Sequence, residues 1–71
     1  MKAATPNPDP RYHTANVKKM LGELIDHLRE DTRYISEPKA QALFETSAEV
    51  LEGLRTAFTH YEEGREPAMR A

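Results

Sequence analysis

From Val17 onward the apolar residues fall at Val17, Leu21, Leu24, Leu28 and Ile35, in steps of four and three, with Asp31 in the gap. That spacing lines one face of an α-helix and traces a heptad seam. Met20 and Ile25 flank the seam on opposite sides, a widening expected of a helix with two neighbours rather than one. A second seam follows at Ala40, Phe44, Ser47, Leu51, Leu54, Phe58 and Tyr61, broadened by Leu43, Val50 and Ala57. Two amphipathic helices are predicted.

The residues between and around the seams predict where the helices stop. Asp9 before Pro10 suits a helix start, a carboxylate cap followed by proline at the first helical position. Thr14 is a second candidate cap. In the break "RYISEPKA", Ser36 is placed to cap a new helix, with Glu37 and Pro38 in its first turn. Gly64 fits a C-terminal stop, with Pro67 shortly beyond it. The expected organisation is a disordered tail over 1–8, a hairpin over 9–64 and a frayed tail over 65–71, from which Met69 could dock back. Within the hairpin, helix one covers about 9–33, the turn about 34–36 and helix two about 37–63.

Folded back at Ile35–Ser36, the seams run out together, with Leu28 level with Phe44, Leu24 with Ser47, and Leu21 with Leu51. The arms match at about 25 residues, or ~38 Å each. Two helices alone cannot cover stripes this wide. The expected fold is therefore all-α: an antiparallel two-helix hairpin that self-associates into a four-helix bundle. The expected oligomer interface is Met20, Leu21, Leu24, Ile25, Leu28, Leu43, Phe44, Val50, Leu51, Leu54 and Phe58.

Size strengthens this expectation. The sequence is 71 residues long, enough for one small domain that buries only roughly 60% of its unfolded surface. It contains no cysteine, so neither a disulfide nor a thiolate metal site can staple it. The net charge of −2 points to neither a nucleic acid nor a membrane surface. Lys18, Lys19, Arg29 and Arg33 alternate with Glu23, Asp26, Glu30 and Asp31, so no basic stripe forms. No apolar run approaches the ~18 residues of a membrane span, and the first ten residues hold no signal-like apolar segment. The expected setting is cytoplasmic.

Candidate chemistry is sparse. His27 shares a helix face with Glu23 and Asp31, and His13, His60 and Glu63 gather at one end of the folded-back hairpin. Either group offers ligands to a divalent transition metal, although the Glu-x-x-His pairs of di-iron bundles are missing. Asp31 also has a structural role open to it, beside Lys39 and the start of helix two. His60 is expected to point outward. Glu45, Glu49 and Glu52 form an acidic ridge on the expected outer face, the ordinary look of solvated helix surface.

An enzyme is not expected. No nucleophile stands beside a base at motif spacing, and no glycine-rich phosphate loop is present. Ser47 and Thr14 face the seam, where a hydroxyl usually bonds the preceding turn's carbonyl. The expected function is a small non-enzymatic, homo-oligomeric interaction or accessory module without a cofactor. It would bind itself and have room for an unidentified protein partner. The alternative is a metal-binding bundle using His27, Asp31, His13 and His60.

Overall fold

A computed structural model describes residues 7–64. Over these residues the chain is helical, with α1 (Pro10–Thr32) and α2 (Pro38–Glu63) packed against each other. They run antiparallel. Thr14 lies beside Glu62 at the open end, while Arg29 reaches Glu49 and Glu52 nearer the turn. The expected C-terminal tail, including Met69, lies outside the described residues. So does the expected N-terminal tail, apart from Asn7 and Pro8.

The ends of α1 follow from local chemistry. Asp9 holds an extended backbone and its Oδ1 accepts from the Arg11 N–H at 3.0 Å, with Pro10 in the first turn. This satisfies one of the orphan donors of the helix start. Thr14, the second candidate cap, sits inside the helix instead. Asn7 is tied down by its Oδ1, which accepts from the Asp9 N–H, and by its carbonyl, 2.6 Å from His13 Nε2. At the other end, the N–H groups of Tyr34 and Ile35 donate to the Asp31 carbonyl.

The start of α2 departs from the expected cap. Ser36 does not cap it. The N-cap is Glu37, which makes no side-chain cap hydrogen bond. Pro38 explains the difference: it disfavours helical backbone at the residue before it, so Glu37 must be the last non-helical position. The link is thus residues 33–37, longer than the expected turn. Gln41 fastens it, donating from Nε2 to the Ile35 carbonyl at 2.6 Å. α2 ends at Gly64, whose φ of 69° lies in the left-handed region and whose N–H donates to the Tyr61 carbonyl. Glycine takes that conformation without the Cβ penalty other residues meet.

The helix–helix contact is rotated by one residue from the predicted seams. Ile25, expected to flank the seam, is buried at 1% exposure, whereas Leu24, its expected centre, is 46% exposed. Ala48 is likewise buried at 1%, while Leu54 is 46% exposed. The line on α2 turned toward α1 takes in Phe44, Ala48, Leu51, Arg55 and Glu62, with Ala48 and Arg55 in place of Ser47 and Leu54 of the predicted seam. Small residues explain why this edge can face inward. Ala48 takes little room, and Gly22 leaves space for the Arg55 guanidinium, whose Nη1 would stand 2.9 Å from a Cβ built there.

Candidate interaction face

The rotation gives the hairpin two unlike sides. One edge is closed by long polar side chains. Lys18 Nζ meets Glu62 Oε1 at 2.7 Å, and Thr14 Oγ1 donates to Glu62 Oε2 at 2.8 Å. Arg29 reaches Glu52 at 3.3 Å and Glu49 at 3.8 Å, and Arg55 holds Glu52 at 2.7 Å. The hydrogen bonds from Lys18 and then Thr14 hold the Glu62 carboxyl below its ordinary range. Arg55, seconded by Arg29, does the same for Glu52. The expected acidic ridge is corrected here. Glu52 turns into the interhelical edge, and only Glu45 and Glu49 stay on the exposed surface.

The other side is apolar and open. Met20 and Leu24 of α1, with Leu43, Val50 and Leu54 of α2, are 45–63% exposed. Leu21, Leu28, Phe44, Leu51 and Phe58 lie half-buried among them. Two shallow grooves run along this side, each lined by both helices. Leu24, Leu28, Ser47, Val50 and Leu51 line the one nearer the turn. Pro8, Pro10, Leu54, Ala57, Phe58 and Tyr61 line the one at the open end. Ten of the eleven expected interface residues therefore keep surface to offer. Ile25 does not: buried inside the hairpin, it has none left for a second chain.

The expected ligand groups do not converge. Among the described residues no three His, Asp or Glu side chains gather as a metal site. Among the described residues Asp31 makes no ion pair with Lys39, and its Oδ2 lies 3.1 Å from His27 Nε2 on α1. His13 Nε2 faces the Asn7 carbonyl and its ring meets Tyr12 edge-on at 5.2 Å. His60, expected to point outward, is half-buried. Ser47 Oγ donates to the Leu43 carbonyl at 2.7 Å, the local bond anticipated for a hydroxyl on this face.

Sequence reasoning missed the inward roles of Ala48, Arg55 and Glu62. Their signal was present. Gln41, Ala48, Arg55 and Glu62 recur every seven residues beside the apolar seam, a spacing that puts all four on one edge of α2. Among the described residues, no helix is long and apolar enough to cross a membrane. Comparison with protein-family models, with curated proteins and with solved structures finds no match to this chain.

Proposed function

We propose that the protein is a homodimeric interaction or accessory module without enzymatic chemistry, two hairpins forming a four-helix bundle in the cytoplasm. The supporting observation is the direction of the exposed stripe. Successive helix residues are turned by about 100°. On α1 the stripe centred on Leu24 therefore stands roughly one residue step from the buried Ile25. On α2 the apolar arc runs from Phe44, about 40° from Ala48, to Val50, about 160° from it, and is centred near 100°. Neighbours at roughly right angles are what each helix of a four-helix bundle has. A hairpin built to stand alone would centre its contact on the stripe.

The thin core supports a permanent second copy over an occasional partner. Ile25 and Ala48 are the fully buried apolar residues among those described, well short of what a domain of this size needs. A second copy is present wherever the chain is made. The test is mass and melting together. Light scattering should give twice the 8.1 kDa chain mass, and the melting temperature should rise with protein concentration. A monomer whose melting ignores concentration would overturn the proposal.

One observation favours a second reading, metal binding. His27 and Asp31 already stand 3.1 Å apart on one helix face, an arrangement that could supply two ligands, with more required from another chain. Metal analysis of protein purified without an affinity tag tests it. Stoichiometric zinc, iron or copper would favour this reading, and its absence from protein purified in metal-replete medium would count against it.

A further inference from the structure

We infer that the two copies dock through their apolar sides with their turns at opposite ends, each acidic turn half lying over the partner's open half. This rests on the dimer proposed above and adds its orientation. The observation behind it is the charge distribution along the hairpin. Residues 23–50, the half around the turn, carry seven acidic and three basic side chains, a net −4. Residues 7–22 and 51–64, the open half, carry four of each and are neutral. Lys2, Arg65 and Arg70 against Glu66 add +2 on the segments joined to that end, which restores the chain's net −2.

The segregation is sharpest on α1. Between Pro10 and Gly22 there are three basic residues and no acidic one, whereas from Glu23 to Thr32 there are four acidic and one basic. Within α1 itself this order is unfavourable, because a helix prefers anions at its start and cations at its end. α2 relieves the open end, where Glu62 takes up Lys18. The turn half is less well served: Asp26 and Glu45 make no ion pair among the described residues.

Asp26 and Glu45 lie about 160° around their helices from the apolar stripe, so a second hairpin acts on the net charge of each half rather than on single pairs. Packed helices lie about 8–10 Å apart, close to the ~8 Å screening length of physiological salt, so each half senses the charge of the half that covers it. Turns at the same end would set −4 on −4. Turning one copy end for end sets −4 on a neutral half whose attached segments are positive. The apolar stripe tolerates both, since it runs from Leu43 near the turn to Tyr61 at the open end.

Pulsed electron paramagnetic resonance distances decide the orientation. The chain has no cysteine, so Ser36→Cys, at an exposed position in the link, takes a single nitroxide per chain. With turns at opposite ends the two labels stand apart by about the length of a helical arm, ~40 Å or more. With turns together they fall within about 20 Å, two helix spacings. Light scattering on the same labelled sample separates the failures. A two-chain mass with the long distance is the expected result. The same mass with the short distance overturns the orientation alone. Any other mass overturns the dimer itself.

Discussion

Lys18 and Glu62, forty-four residues apart in the chain, meet at 2.7 Å and close the open end of the hairpin, with Thr14 completing the carboxylate's partners. A folded-state pKa below the ordinary value of 4.5 means that Glu62 stabilises the fold above that pH. The contribution is lost as pH falls through the lowered value. Glu52, held by Arg55, behaves in the same way. The melting temperature should therefore be flat from neutrality down to about pH 5 and fall below it. Glu62→Gln should start lower at neutral pH and decline less in acid, so that the two curves converge. Parallel curves would show that this carboxylate does not carry the acid response.

Ile25→Ala should destabilise the fold by about 2–4 kcal/mol, since it hollows out the one large, fully buried side chain among the described residues. The loss should appear at every protein concentration. Val50→Glu should act differently, because Val50 is 63% exposed on the hairpin and touches the proposed interface. It should remove the concentration dependence of melting and bring the scattering mass to one chain. A two-chain mass retained by Val50→Glu would mean that association uses another surface.

Gly22→Ala tests how tightly Arg55 is seated. The added methyl would stand 2.9 Å from Nη1, at the tip of a flexible side chain. Alanine gains about 1 kcal/mol in helix propensity. Displacing the guanidinium weakens a partly exposed ion pair worth roughly 0–1 kcal/mol. A small rise in melting temperature is expected. A clear fall would show that the Arg55–Glu52 pair is held more rigidly than its exposure suggests.

Ser47→Ala distinguishes a local from an assembled role for the hydroxyl. Its bond to the Leu43 carbonyl stays within one helical turn. Such a bond competes with the helix more than it supports it, so the change should be neutral or stabilising by up to ~1 kcal/mol. A loss greater than about 1 kcal/mol would place Ser47 in a polar layer shared between chains.

The sequence by itself determined the elements. Asp9–Pro10, Glu37–Pro38 and Gly64 bound the helices because caps, prolines and left-handed glycines act on their own neighbours, within one turn. The apolar periods of four and three made both helices amphipathic, and a short link required them to fold back. Which edge of each stripe faces inward was decided only in three dimensions. Leu24 and Ile25 are adjacent and equally apolar, yet one is half exposed and the other buried. Periodicity centred the seam on Leu24 and left Ile25 at its flank. What separates them is non-local: room at Gly22 for the Arg55 guanidinium, the small Ala48, and ion pairs such as Lys18–Glu62 and Arg29–Glu52. Each of these depends on a residue of the opposite helix, and becomes available only once the two arms lie side by side.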